Sequence, residues 1–175
     1  MLKRVKQVMA ALTAKIRPED RIFVRQYLYA GEETLFWAMN LPDQRHALNV
    51  AYTAQKLGSK HKDIDRNLLI KCALLHDVGK IKGDVSTIDK VMTVIGHTVA
   101  PNWAKQWGRL GRGSKLANCR HAFYIYFHHA KRSAAMLKTI GASPRMIEIV
   151  SKHHEAPADG DPLELVLLRK SDELH

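Results

Sequence analysis

The sequence predicts an all-α protein, and three observations carry that expectation. Apolar residues recur at spacings of three and four rather than two, β-branched runs are short, and the periodic segments open at prolines and stop at glycines. At 175 residues the chain is expected to form one domain with its own core, and 46% hydrophobic with 26% charged residues is a globular composition, neither disordered nor fibrous.

The elements follow in order. Leu2, Val5, Met9, Leu12 and Ile16 share one helical face, which places an amphipathic helix over residues 2 to 16; Lys6 and Lys15 bound an apolar run too short for a secretion signal. A second leading helix is expected over 18 to 29, opened by Pro18 with Glu19 and Asp20 in its first turn. Pro42 and Asp43 open a helix running to Leu57 and stopped at Gly58, and the next spans 65 to 77 with Gly79 as its punctuation. Further helices are expected at 86 to 96, at 102 to 107, and from about 120 to Ile140 before Gly141. Ser143 ahead of Pro144 caps a helix through His154, and Asp161-Pro162-Leu163-Glu164 resembles a capping box that starts the last helix. Residues 1–40 thus make an N-terminal helical extension, and residues 41–175 the domain that carries the motifs.

Charge and cysteine content narrow the setting. Lys plus Arg number 28 against 17 Asp plus Glu, and the net charge of +11 calls for anionic, phosphate-rich partners. Cys72 and Cys119 are the only cysteines and form no C-x-x-C pair, so neither a disulfide framework nor a cysteine zinc site is expected, and a reducing cytoplasm fits best. No apolar stretch is long enough to span a bilayer, so a membrane partner is not expected.

The chemistry lies where apolar stripes end. His46 continues the stripe of Val50, Thr53 and Leu57, and His76 shares a face with Leu69 and Cys72 or Ala73, with Asp77 next to it. His129 belongs to the stripe of Tyr126, Ser133, Met136 and Ile140, whereas His128 falls on the outer face with Lys131 and Arg132. Met146, Ile149 and Val150 lead to His153 with His154 beside it, and Leu165 and Leu168 lead to Asp172. A single inward histidine is usually a hydrogen-bonded core residue. An inward carboxylate costs several kcal/mol unless a cation or strong donors meet it. Two carboxylates and four or five histidines in one small domain are satisfied together by a divalent metal, and a mixed imidazole and carboxylate set suits iron, manganese, zinc or nickel.

His46, His76-Asp77 within Leu-Leu-His-Asp-Val-Gly-Lys, and Asp172 resemble the H…HD…D signature of the HD-domain metal-dependent phosphohydrolases. His129 with Ala130 to Leu137, and His153-His154-Glu155, are similar to the extra histidines of the HD-GYP branch, which hold a second metal. The resemblance covers about residues 43 to 174. Glu155 leads into Ala156-Pro157-Ala158-Asp159-Gly160-Asp161-Pro162 with no Gly-Tyr-Pro, so cyclic-di-GMP is not the expected substrate. Pro42 stands where some relatives carry a glutamate one turn before the first histidine, so a third metal is not expected.

The resemblance implies a single HD-domain helical bundle with two additional N-terminal helices. It implies one or two divalent ions, iron, manganese or another transition metal with magnesium also compatible, held by His46, His76, Asp77, His129, His153, His154 and Asp172. Asp77 would bridge the ions and act in catalysis. Lys80 would supply charge to the phosphoryl oxygens, and Lys80 and Arg132 are the expected substrate contacts. The reaction implied is hydrolysis of a phosphate mono- or diester of a nucleotide-like anion by a metal-activated water. Two rivals accompany it: a regulatory or nucleic-acid-binding protein with a structural or degenerate metal site, and a di-iron oxygenase.

One segment carries none of the motifs quoted for the resemblance. Trp103 and Trp107 with Lys105, Arg109, Arg112 and Lys115 read first as a helix with core tryptophans followed by a solvated basic loop. A groove for single-stranded nucleic acid and a mobile lid over an anionic substrate are the alternatives.

Overall fold

The computed structural model describes residues 14–175. Along them the chain forms α1 (Pro18–Tyr27), α2 (Ala30–Trp37), α3 (Leu41–Gly58), α4 (Arg66–Leu75), α5 (Thr87–Val99), α6 (Pro101–Trp107), α7 (Lys115–Thr139), α8 (Pro144–Lys152) and α9 (Leu163–Glu173). The described residues contain no strand, only an isolated antiparallel bridge between Met39 and Ile81. None of their helices is long and apolar enough to cross a membrane.

Helix α4 lies at the centre because it is apolar almost all round: every residue from Leu68 to Leu75 is buried. It packs against α3, α8 and α9, and against α1 and α2. Its one buried charge, Lys71, has a partner: Nζ lies 2.8 and 3.1 Å from the two carboxylate oxygens of Glu32 and 3.7 Å from the Tyr29 ring centre. Leu165 and Leu168 of α9, Ile149 and Val150 of α8, and Val50 and Ala54 of α3 fill the same core, as do Phe23, Val24, Phe36 and Met39 from the first forty residues. Each large side chain so buried contributes about 1.5–3 kcal/mol.

Helices α5 and α6 pack on α7 rather than on α4. The long α7 therefore serves two layers. Phe123 in its first half meets the rings of Trp103 and Trp107, and Leu137 in its last turns joins the main core.

Several boundaries differ from expectation. The helix expected over 2 to 16 lies outside the described residues except at its end, where residues 14–17 are not helical. The helix expected over 18 to 29 stops at Tyr27, and α2 follows unannounced: Tyr29 is extended (φ −78°, ψ 166°) and its N–H donates to Glu32 Oε2 at 2.9 Å, which starts a new turn. Helix α7 begins at Lys115 rather than 120, because Ser114 Oγ accepts the Ala117 N–H. Ser143 caps α8 as expected, but Asp161 does not cap α9: its carboxylate takes the Ala158 N–H and the Arg169 guanidinium instead. The tryptophans are not core residues either. Trp103 is 54% exposed, and the two indoles stack on each other with ring centres 5.3 Å apart.

Candidate metal centre

The chemistry-bearing pairs sit at helix ends. Helix α4 finishes at Leu75 with His76 as its C-terminal cap, and α8 finishes at Lys152 with His153 as its cap. Within a continuous helix adjacent side chains diverge by about 100°. In the turn beyond the helix they converge, so Asp77 joins His76, and the His153 and His154 rings come to 4.1 Å between centres. Both helices also direct their negative C-terminal dipoles at the same region, which favours a cation there.

The Asp77 turn is held against α7 by a close approach. Gly79 N–H donates to Ser133 Oγ at 2.8 Å, and a Cβ at residue 79 would lie 2.6 Å from the His129 carbonyl oxygen. The glycine that punctuates the sequence after the histidine-aspartate pair is thus required by packing, since no positive φ is found there.

All seven sequence-predicted ligands meet. Asp77, His129, His153 and His154 offer ligand atoms within 4.8 Å of one another, and so do His46, His76 and Asp172. Asp77 lies between the two groups: Oδ1 is 3.2 Å from His129 Nε2, and Oδ2 is 3.5 Å from His76 Nε2 and 3.9 Å from His46 Nε2. Asp172 Oδ1 is 2.9 Å from His46 Nε2 and 3.7 Å from His76 Nε2.

The residues fit a metal because of what their atoms lack. His76, His129 and His153 each place Nδ1 at 2.6–2.8 Å from the backbone carbonyl three residues earlier, that of Ala73, Tyr126 and Val150. A carbonyl only accepts, so the proton sits on Nδ1 and each Nε2 presents a lone pair to the centre. The buried His76 Nε2, His153 Nε2 and Asp77 Oδ1 have no hydrogen-bond donor. His129 Nε2 and Asp77 Oδ1, 3.2 Å apart, are then two acceptors face to face, an arrangement that a shared cation satisfies.

Electrostatics hold these groups in ligating form. Burial by itself pushes Asp77 up, but the Lys80 ammonium and the surrounding imidazoles keep its carboxyl well below the usual carboxylate range. Asp172 is pushed up by burial and held below its ordinary value on balance by the His46 hydrogen bond. Burial and then Lys80 push His129 down to about 3, and burial likewise lowers His153 and His154, so all three are neutral imidazoles at pH 7. His46 runs the other way: burial lowers it, but its bond to Asp172 raises it on balance, which favours the protonated ring over the ligating one.

The remaining predicted residues divide. Lys80 Nζ lies 2.7 Å from Asp77 Oδ2, beside the centre and partly exposed. Arg132 is engaged elsewhere: its Nη1 is 2.6 Å from Asp84 Oδ2, and Asp84 Oδ1 also faces His121 Nε2 at 3.8 Å. His128 lies against Tyr124, ring centres 4.5 Å apart, away from the ligands as its helix face predicts. Sequence reasoning missed Asp84 and Ser133. Asp84 follows the Lys82-Gly83 turn and reads as a loop residue, and Ser133 sits one turn after His129 on the inward stripe, the only local hint of its role.

Comparison with known proteins agrees with this geometry: the HD domain family model matches residues 44–175 of the chain. No curated protein and no solved structure matches it.

Proposed function

Because the chain belongs to the HD domain family of metal-dependent hydrolases, we propose that it hydrolyses a phosphate mono- or diester of a nucleotide-like anion. The observation that carries the reading is the set of donor-poor lone pairs, His76 Nε2, His153 Nε2 and Asp77 Oδ1, buried at two adjoining ligand groups. His46, His76 and Asp172 would hold one divalent ion and His129, His153 and His154 a second, with one oxygen of Asp77 turned to each. Bound there, such ions supply Lewis acidity toward phosphoryl oxygens and lower the pKa of water into the neutral range.

The chain's own groups do the rest. The Ala73, Tyr126 and Val150 carbonyls hold the three ring protons on Nδ1 and so fix the rings in orientation. Lys80 carries a fixed positive charge beside Asp77, raised above its ordinary value by that carboxylate in spite of burial. It is placed to meet the phosphoryl oxygens as they gain charge.

Release of phosphate from generic monoesters, or of the alcohol from generic diesters, by metal-reconstituted protein tests the reading, with metal content measured on the same sample. Asp77→Ala or a chelator should abolish release, and full activity of Asp77→Ala protein would refute it. Cyclic-di-GMP should be a poor substrate beside the other esters, as the absent Gly-Tyr-Pro implies.

A second reading has one observation behind it. The exposed Trp103, stacked on Trp107, lies on a segment with exposed Lys105, Arg109 and Arg112, and Arg120 lies 5.7 Å from the Trp107 ring centre. Aromatic faces among cations suit single-stranded nucleic acid. Binding of a labelled oligonucleotide that falls with salt and is lost in Trp103→Ala supports it; binding indifferent to that substitution removes it.

A further inference from the structure

We infer that the substrate is a phosphate monoester whose alcohol part is uncharged and largely apolar, seated in a pocket directly beside Lys80. The inference rests on the phosphohydrolase reading for the place of the phosphate, takes its monoester case, and puts a smaller and less polar alcohol where that reading has a nucleoside.

The pocket has a volume of about 190 Å³ and lies where the loop after the histidine-aspartate pair meets α5 and α7. Its walls are Ile81 and Val85 of the loop, Val94 of α5, and Ala122, Ile125 and Tyr126 of α7. Lys80 forms the side toward the metal ligands, its ammonium 2.7 Å from Asp77 Oδ2. An ester with its phosphate at Lys80 and Asp77 therefore extends its alcohol group along these apolar side chains.

The polar members of the lining restrict the charge of that group. Lys80 is the sole cation among the described lining residues, whereas Asp43 and Asp84 are both carboxylates. Asp84 is held by Arg132 at 2.6 Å, and the Tyr126 hydroxyl lies 2.7 Å from His97 Nδ1. A second phosphate or a carboxylate on the alcohol would find no second cation in this lining, Arg132 behind it being taken up by Asp84, and would approach the Asp43 carboxylate. An uncharged ring or branched chain meets no such opposition and leaves water for hydrocarbon. The volume is below the roughly 300 Å³ at which drug-sized ligand sites begin, which points to a single ring or short chain.

The test separates this from the reaction itself. Binding of three phosphonates to metal-reconstituted full-length protein is measured by calorimetry: benzylphosphonate, methylphosphonate and 3-phosphonopropionate. Benzylphosphonate should bind at least about tenfold more tightly than either of the others, the scale expected for sheltering part of one ring from water. Val94→Asp, at a position 37% exposed, should erase that preference, weakening benzylphosphonate by about tenfold more than methylphosphonate. Benzyl phosphate is assayed for phosphate release in parallel. A preference for benzylphosphonate without turnover upholds the pocket and refutes the hydrolase reading. Turnover with equal affinities, a preference that survives Val94→Asp, or no binding of any phosphonate overturns the pocket.

Discussion

Gly79 lies directly beneath the backbone of His129, so close that a Cβ on it would stand 2.6 Å from the His129 carbonyl oxygen and 2.9 Å from the Ser133 nitrogen. This contact lets the turn carrying Asp77 reach His129 on α7. The opposing atoms are helix backbone and cannot swing aside. Gly79→Ala should therefore push the turn outward and cost about 1–3 kcal/mol. It should also lower bound metal, because Asp77 loses its place between the two ligand groups. Thermal unfolding and metal analysis read both effects; a Gly79→Ala protein with unchanged stability and metal content would show that the turn has slack.

Lys80 touches Asp77 through its ammonium and lines the pocket beside the ligands, yet it offers no lone pair to a metal at neutral pH. Lys80→Ala should keep metal content while lowering turnover by roughly 10²-fold or more, the scale of losing one donor that acts on developing charge. Loss of metal in that variant would make Lys80 a structural counterion of Asp77.

His129 stands on the Oδ1 side of Asp77 with His153 and His154, and its Nε2 lies 2.8 Å from His154 Nε2. If each group of ligands holds an ion, His129→Ala should lower bound metal from about two ions to about one per chain. Unchanged stoichiometry, or one ion in the unaltered protein at saturating metal, would make His129 a pocket residue.

A pH dependence of stability is built in at Asp20, which is not among the metal ligands. Burial pushes Asp20 up, but the Arg17 N–H at 2.8 Å, Arg45 at 2.7 Å and the Tyr52 hydroxyl at 2.8 Å together hold it below 3.8. A carboxyl with a depressed folded value contributes stability that is complete above its unfolded value and is lost as pH falls below 3.8 through the folded value. Tyr52 is pushed up to about 12 by burial and by Asp20, so its share is complete below 10 and is lost as pH rises from 10 toward 12. Asp20→Asn should flatten the acid side of unfolding temperature against pH, and Tyr52→Phe the alkaline side. Unaltered slopes in both variants would mean that other groups set the pH limits of the fold.

The sequence by itself determined the helical class, the inward faces of His76, His129, His153 and Asp172, and the outward face of His128, because three-and-four periodicity is written into neighbouring residues. It also placed the histidine-aspartate and histidine-histidine pairs near helix ends, where cap and stop residues are local. Tertiary structure alone decided what those faces meet. His46 and Asp172 are 126 residues apart in the chain, and no local pattern states that they touch at 2.9 Å. Nor does periodicity tell that Arg132 is held by Asp84, that Gly79 is required by the backbone of α7, or that Trp103 lies half in solvent. Helix α2 escaped for a related reason: its eight residues carry almost no amphipathic signal, and it is held by the buried Glu32–Lys71 pair and by Phe36 in the core. Periodicity fixes the direction in which a side chain leaves its helix, but its partner is set by how helices distant in sequence pack, and that is a property of the whole chain.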